Sequence, residues 1–257
     1  MSTPREAKGR CLTNAEGVVD QHLAEAVLGA SRGRHAFEDC VERLATAIRL
    51  GVYPDGSRLP PERELAVRMG VSRATLREAI AALRAANMVR TTRGRGGGTV
   101  VDHPPATPGH SGVASLEHRR AELMDSLVFR RVVEPGAAYL AATRTLDDGQ
   151  QRLIADALVA VGAAESPADH RQADSRLHLA IVSLTASPQL IDAVTGVQAQ
   201  LNDMLLAIPV LPVNIEHSSR QHSEIVTAIL SGHAQAARRA MESHCDDTAA
   251  LLRGLLR

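Results

Sequence analysis

Apolar residues recur with a helical period from residue 37 onward. The first such face comprises Phe37, Val41, Leu44 and Ile48. This spacing predicts an amphipathic helix that ends near Gly51. The same reasoning predicts a short helix from about 61 to 69, ended by Gly70, and a third helix that starts after the N-cap Ser72 and breaks near Asn87. Two helices joined by a glycine-containing turn predict a helix-turn-helix.

Two β-prone runs follow the third helix. They cover 88–92 and 99–102 and flank a basic, glycine-rich tip at 93–98, a pattern typical of a hairpin wing. The tip also spells G-x-G-x-G, as a dinucleotide-binding loop does. Because no crossover helix follows it, the wing is the better interpretation.

The pattern of the remaining sequence predicts helices. Residues 104–114 are rich in Pro and Gly, which indicates a linker. Helical periodicity then returns in six segments, near 116–145, 147–164, 168–186, 188–208, 213–231 and 233–256. The predicted fold class is mainly α: an N-terminal winged helix-turn-helix with a small β-hairpin wing, followed by a C-terminal all-α helical bundle of six or seven helices.

We therefore expect four parts along the chain. They are an N-terminal extension at 1–34, partly disordered, a DNA-binding domain at 35–103, a linker at 104–114 and a helical domain at 115–257. The chain has no Trp, two Phe and two Tyr, so the core is predicted to be aliphatic. Its three cysteines form no C-x-x-C pair, which fits a reducing cytoplasm. No apolar run approaches the roughly 18 residues of a membrane span.

The formal net charge of zero hides two unlike parts. Residues 41–103 hold 11 Arg against 6 acidic residues, a net charge of +5. Residues 104–257 hold 13 Arg against 17 acidic residues, a net charge of −4. A basic module joined to an acidic one is typical of a nucleic-acid binder with a separate sensing or assembly domain.

Arginines gather on the predicted recognition helix and the wing. Arg73 and Arg77 fall on the exposed N-terminal side of the third helix, where the helix dipole also favours phosphate. Arg63 on the preceding helix, with Arg93 and Arg95 on the wing, extends the same surface. Each arginine alone would more often belong to a solvated face, but five on one predicted surface favour DNA binding.

A second constellation lies in the helical domain. Asp174 and His178 are four residues apart on an apolar helix face, and His222 and His244 occupy similar faces on two later helices. One carboxylate and three imidazoles suit a divalent metal ion such as zinc, nickel or manganese. Taken singly, a histidine on an apolar face is more often a hydrogen-bonded core residue.

The stretch 50–101, which contains RLPPERELA, GVSRATLREA and the glycine-rich wing, closely resembles the winged helix-turn-helix of the GntR family. The resemblance implies that Arg63, Arg73 and Arg77 contact DNA and that Gly96 is a wing contact. Pro61 stands where the family usually has a capping Ser, and Ala74 where some members have a polar base contact, so the operator sequence is not transferable. The complete predicted DNA-binding set is Arg63, Ser72, Arg73, Thr75, Arg77, Arg93, Arg95 and Gly96.

The helical domain resembles the FCD domain of the FadR-like branch of GntR regulators. The resemblance rests on the pattern D-x-x-x-H, a later H-x-x-I-x-x-A-I-x-x-G and a final A-x-x-x-M-x-x-H. It implies that Asp174, His178, His222 and His244 bind a metal whose coordination a small carboxylate effector completes. It also places Arg130 at an effector-contacting position, although an ion pair with Glu134, four residues on, explains Arg130 equally well.

These features predict a regulator and not an enzyme. We expect a cytoplasmic, nucleoid-associated bacterial homodimer that binds palindromic operator DNA, more as a repressor than an activator, and responds to a small carboxylate at the metal site. One alternative is a metal-responsive regulator whose signal is the ion itself. The other is a metal-dependent hydrolase, which is disfavoured because no inward-facing acid remains to act as general base.

Overall fold

The structure, a computed structural model, describes residues 19–28, 36–92, 98–105, 119–205 and 212–255. These ranges form ten helices and one antiparallel two-stranded hairpin, which confirms the mainly α fold. The helices are α1 Gln21–Val27, α2 Ala36–Arg49, α3 Glu62–Met69, α4 Arg73–Ala85, α5 Arg120–Ala142, α6 Asp148–Gly162, α7 Pro167–Ser183, α8 Pro188–Leu205, α9 Pro212–Leu230 and α10 Ala234–Leu255. The strands are β1 Val89–Thr92 and β2 Gly98–Val101.

Helices α2, α3 and α4 with the hairpin form the predicted winged helix-turn-helix. Gly70 ends α3 at φ 65°, a left-handed conformation that glycine adopts without strain. The buried face of α2 differs from the prediction, because Phe37 is 37% exposed whereas Cys40 is fully buried. Cys40 faces α3, where its Sγ lies 3.8 Å from Sδ of Met69.

Each of the six predicted helical segments of the C-terminal part forms one helix, α5 to α10. Helix α5 packs along α10, α9 contacts α10 and α6, and α7 packs between α6 and α8. None of the described helices is long and apolar enough to cross a membrane. The bundle is the scaffold of the polar cluster considered below.

Helix α1 joins the two parts of the molecule. Leu23 and Val27 are buried, and the helix packs against α7 and α8 of the bundle. Arg68 of α3 contacts the same helix, with its Nη2 3.1 Å from Oε1 of Gln21 and 3.2 Å from Oε1 of Glu25. The sequence showed no partner for this segment because its partners are distant along the chain.

Helix α2 contacts the bundle directly. Arg43 lies 3.5 Å from Asp192 of α8, and Nε2 of Gln172 on α7 donates to the main-chain oxygen of Arg49 at 3.1 Å. Gly51 follows at φ 71°, and a Cβ there would meet Gln172 at 3.1 Å. The DNA-binding module is therefore packed against the helix that carries two of the predicted metal ligands.

Candidate metal centre and nucleic-acid interface

The N-terminus of α4 is the centre of the candidate nucleic-acid interface. Ser72 caps the helix as predicted: its Oγ accepts from the main-chain N–H of Thr75 at 3.0 Å. Oγ of Ser72 and Oγ1 of Thr75 also lie 2.9 Å apart, so both hydroxyls support the cap. Arg73 and Arg77 are exposed beside it. This end of α4 thus presents cations and helix N–H groups to solvent, as phosphate binding requires.

The other predicted DNA contacts divide into two groups. Arg63 is exposed on α3, and Arg77 of α4 pairs with Glu62 of α3 at 2.7 Å, with both side chains largely accessible to water. Such an exposed pair is weak and can be exchanged for a phosphate. Arg93, Arg95 and Gly96 lie outside the described residues, although β1 and β2 fix the two ends of the wing. Pro61 precedes α3 without a side-chain cap, as its identity dictates.

Three helices bring the predicted metal ligands together. Asp174 and His178 project from α7, His222 from α9 and His244 from α10, and one ligand atom from each lies within 4.8 Å of all the others. Nε2 of His222 is 3.3 Å from Asp174, and Nε2 of His178 is 3.9 Å from it. The three imidazoles are 0–3% exposed. Donor atoms around a bound zinc ion lie roughly 3 to 4 Å apart, so this set fits a divalent ion after small side-chain movements.

Buried polar groups orient two of these imidazoles. Nδ1 of His178 lies 2.7 Å from Oε2 of Glu134, whose other oxygen accepts from Nε2 of Gln198 at 2.7 Å. Nδ1 of His244 donates to Oε1 of Gln221 at 3.2 Å. A proton held on Nδ1 leaves the Nε2 lone pair facing the cluster, which is the tautomer that ligates a metal. Nδ1 of His222 has no partner among the described residues.

Glu134, Gln198 and Gln221 were not predicted as part of the site. Glu134 entered the sequence argument only as an ion-pair partner for Arg130, and that pair is present, with Nε 3.1 Å from Oε2. The side chains of Arg130 and Glu134 are both nearly fully buried. A buried acid placed four residues from a buried arginine is a signal that the sequence did contain. Gln198 and Gln221 carry no comparable signal.

Arg130 contacts the cluster in addition to its pairing with Glu134. Its Nη2 donates to Nε2 of His178 at 3.2 Å and to Nε2 of His244 at 2.9 Å. Arg130 also lines a cavity that adjoins the cluster and is described below. The two interpretations of Arg130 are thus compatible, because the side chain pairs with Glu134 through Nε while its outer nitrogen faces the site.

Burial sets the protonation of the cluster. It lowers the pKa of His222 to about 4 and that of His244 well below its usual value, so both imidazoles are neutral at physiological pH. Burial alone would raise the pKa of Asp174, but the nearby His222, His178 and Arg130 outweigh it and lower the pKa. Neutral imidazoles and an ionised carboxylate are the forms that bind a metal ion.

A cavity of about 180 Å³ adjoins the cluster. Arg130, Asp174 and His244 line it, together with leucines of α8 and α10 and further polar side chains of α7, α8, α9 and α10. A cavity that combines an apolar wall with a few convergent polar groups is typical of a small-molecule site.

Two family models match this chain. The family model described as bacterial regulatory proteins, gntR family, matches residues 37–101, and the model described as FCD domain matches residues 125–247. RmpR of Mycobacterium gastri, described as an HTH-type transcriptional regulator, is 33% identical over 213 residues, which are 79% of this chain and 75% of that protein.

Two further proteins extend the comparison. A protein of Escherichia coli strain K12, named for regulation of the L-lactate dehydrogenase operon, is 28% identical over 82% of this chain and 84% of its own. The solved structure of E. coli McbR/YncC shares the fold, with a TM-score of 0.52 at 16% identity over 88% of this chain and 100% of that one. The chain therefore belongs to the GntR family of bacterial transcriptional regulators and carries an FCD domain, and it is a DNA-binding regulator and not an enzyme.

Proposed function

We propose that this regulator is a metal-containing repressor that binds palindromic operator DNA as a homodimer and releases it when a small carboxylate binds beside the metal. The observation that carries the proposal is the cavity of about 180 Å³ that opens on the cluster of Asp174, His178, His222 and His244. A metal held only for stability would not require an adjoining space for a ligand. The cavity therefore favours a ligand signal over a signal from the ion alone.

The four clustered residues would hold the metal, and the metal would supply a Lewis-acidic position for a carboxylate oxygen. Arg130 would bind the other oxygen, since a guanidinium and a carboxylate form a charge-assisted pair. Arg130 now donates to the same Nε2 atoms of His178 and His244 that would ligate the metal. The proposal therefore requires the guanidinium to release these two acceptors and turn toward the cavity, while its Nε bond to Glu134 persists.

Helix α7 provides a physical connection from the ligand to DNA. It carries Asp174 and His178 toward the cluster and Gln172 toward the main chain of Arg49 at the end of α2. A ligand that shifts α7 would thereby move α2 and the recognition helix packed on it. Different operator affinities of the free and liganded states would be the consequence.

The surface of α5 supports a homodimer. Val128, Phe129, Val132 and Leu140 are 42–71% exposed on this helix. Several large apolar side chains exposed on one helix favour a protein interface there. A second copy related by a two-fold axis would cover it and would present two α4 helices to a palindromic site, with Arg63, Arg73, Arg77 and the wing arginines Arg93 and Arg95 at the DNA.

The proposal is tested on the full chain in three measurements. Metal content is determined as purified and after chelation and reloading with Zn²⁺, Ni²⁺ or Mn²⁺. Operator duplexes are selected from random-sequence DNA, and their affinity is followed by fluorescence anisotropy. Carboxylates are then added, beginning with L-lactate because of the name of the E. coli relative and continuing with pyruvate, malate, succinate, glutarate and citrate.

We expect one metal ion per chain, a palindromic duplex bound by a dimer, and at least one carboxylate that weakens binding by about 5- to 150-fold. The same carboxylate should have no effect on a His222→Ala variant. Operator affinity that follows free metal and ignores every carboxylate would replace this proposal with a metal-responsive regulator. A carboxylate that strengthens operator binding would overturn release as the mode of response.

A further inference from the structure

Helix α1 is the most extensive link between the DNA-binding module and the helical domain. It packs against α6, α7 and α8 of the bundle and against α2 of the module. Its buried side chains are Leu23, Ala24, Val27 and the C-cap residue Leu28, each 0–5% exposed. Among the described residues, no helix of the module itself packs as extensively against the bundle. The apolar face of one short helix therefore contributes most of the packing that joins the two parts.

Charged groups also attach α1 to both parts. Asp20 caps the helix, since its Oδ1 accepts from a main-chain N–H of the first turn at 3.1 Å. Burial lowers the pKa of Arg176 on α7, and the charge of Asp20 opposes that shift. Arg68 of α3 lies 3.2 Å from Glu25, with the arginine side chain only 16% exposed. Helix α1 thus has a charged contact with each part in addition to its buried face.

The ion pairs that join the module directly to the bundle are open to water. Arg43 of α2 lies 3.5 Å from Asp192, whose side chain is 45% exposed. Arg49 lies 3.7 Å from Asp203, whose side chain is 38% exposed. Exposed ion pairs contribute little to stability because water and salt screen them. These pairs and the hydrogen bond from Gln172 to the main chain of Arg49 are therefore a weaker connection than the buried face of α1.

We propose that residues 20–28 are a strap that fixes the recognition helix α4 relative to the helical domain and thereby sets the half-site spacing that the regulator accepts. The residues matched by the gntR family model begin at 37, so the strap lies outside the matched DNA-binding module. This inference rests on the proposed function, from which it takes the homodimer and the palindromic operator.

A dimer holds its two α4 helices at one separation only if each module is fixed to the part that dimerises. A rigid connection gives the second half-site contact a high effective concentration at one spacing. A loose connection gives a lower effective concentration over a range of spacings. The strap therefore affects operator choice without any contact between α1 and DNA.

The test detaches the strap and leaves α4 unchanged. Leu23→Asp places a charge in the buried face of α1, where it has no partner, and a second variant lacks residues 1–28. Two matched controls alter the same helix. Leu23→Met keeps the face apolar, and His22→Ala changes an exposed side chain. Far-UV circular dichroism establishes that every variant retains the helical content of α2 to α10.

Fluorescence anisotropy measures binding to the selected palindrome, to the same palindrome with two base pairs inserted between its half-sites, and to a single half-site. The insertion moves the half-sites about 7 Å apart and turns them by about 70°. The unmodified chain and both controls should lose about tenfold or more in affinity on insertion. Both strap variants should bind the palindrome about tenfold more weakly and lose about threefold or less on insertion. Half-site affinity should be equal in all, because α4 is unchanged.

Small-angle X-ray scattering of the full chain without DNA gives a second readout that does not depend on the operator. Both strap variants should have a larger radius of gyration than the unmodified chain, because the module is no longer held against the bundle. The two controls should have the radius of gyration of the unmodified chain.

Contrary results would overturn the strap and the proposed function separately. An unchanged radius of gyration in both strap variants would show that other contacts hold the module. A loss on insertion as large as that of the unmodified chain would exclude the strap from the choice of spacing. A half-site affinity that falls as far as the palindrome affinity would assign α1 to the folding of the module instead. Failure of the unmodified chain to select any duplex with two half-sites would overturn the proposed homodimer on a palindromic operator.

Discussion

The two parts of the molecule differ in where they place their functional polar residues. The DNA-binding module carries them on its surface, and the helical domain buries them in its interior. In the DNA-binding module, Arg63, Arg73 and Arg77 point into solvent, and the core beneath them is apolar and includes the fully buried Tyr53. In the helical domain, Arg130 and Glu134 are 3% and 2% exposed, and the three imidazoles are equally buried. Solvent surrounds one set and the protein interior surrounds the other.

The difference teaches that burial decides how strongly a polar group depends on its neighbours. The exposed Arg77 and Glu62 pair is screened by water, so each partner can leave for a phosphate at little cost. The buried Arg130 and Glu134 pair has no such freedom, because either charge left alone in the interior is strongly unfavourable. Four experiments test this contrast, in order of decreasing expected effect.

The largest effect is expected from Arg130→Met. Loss of the guanidinium leaves the carboxylate of Glu134 buried without its cation, which should lower the free energy of unfolding by about 3 to 5 kcal/mol. The adjacent Arg131→Met is the matched control. Arg131 is 39% exposed and pairs with Asp246 at 2.7 Å, so its loss should cost about 0 to 1 kcal/mol. Urea denaturation followed by far-UV circular dichroism measures both, and equal losses would break the comparison.

The second effect is a loss of folding stability in acid. In the metal-free folded chain the pKa of His222 is about 4, against an ordinary value of 6.5. The unfolded chain binds this proton more tightly, so stability present above pH 6.5 is lost as the pH falls from 6.5 to 4, by up to about 3 kcal/mol. Arg130 and His178 overcome the effect of burial on Glu134 and hold its pKa at about 2, so its contribution is lost only between pH 4.5 and 2.

Urea titrations of chelator-treated protein between pH 8 and 4 test whether the free energy of unfolding decreases as the pH falls. His222→Gln should reduce the loss of stability between pH 6.5 and 4, and His244, whose pKa is also lowered, should account for the loss that remains. In the DNA-binding module the resolved shifts concern Cys40 and Tyr53, whose pKa values burial raises to about 11 and about 12, so they add no acid sensitivity. An unchanged pH dependence in the variant would refute the assignment to His222.

The third effect concerns metal affinity. Gln221→Leu removes the acceptor that fixes Nδ1 of His244, which should weaken Zn²⁺ binding by about 10- to 100-fold. Gln189→Leu, exposed on α8, should leave the affinity unchanged. Competition with a chromophoric chelator gives both constants. Equal constants for Gln221→Leu and the unmodified chain would show that His244 does not depend on this contact.

The smallest effect is expected at the exposed module. Arg73→Ala and Arg77→Ala should each cost about 1 to 3 kcal/mol in specific operator binding. Stability should change by no more than about 0.5 kcal/mol, because the side chains are exposed. Arg84→Ala, exposed near the opposite end of α4, is the control. Anisotropy with the selected duplex measures the affinities, and unchanged values for both variants would remove α4 as the recognition helix.

The elements with strong local signals were predicted well from the sequence. Gly70 and Ser72 mark the end of α3 and the start of α4, and both have the predicted cap geometry. Proline and glycine punctuation separated the six helices of the bundle near their observed bounds. The buried face of α2 was only partly correct, because the partner of Cys40 lies on another helix.

The sequence alone determined the helix boundaries, the winged helix-turn-helix and the residue types of the candidate metal site, because these depend on contacts within a few residues or on one helix face. The tertiary structure decided that four ligand atoms from α7, α9 and α10 lie within 4.8 Å of one another and that Gln198 and Gln221 complete the surrounding contacts. It also decided that α1 packs between the two parts. Distances between helices arise from packing of residues far apart in the chain, and no periodicity within one helix encodes them.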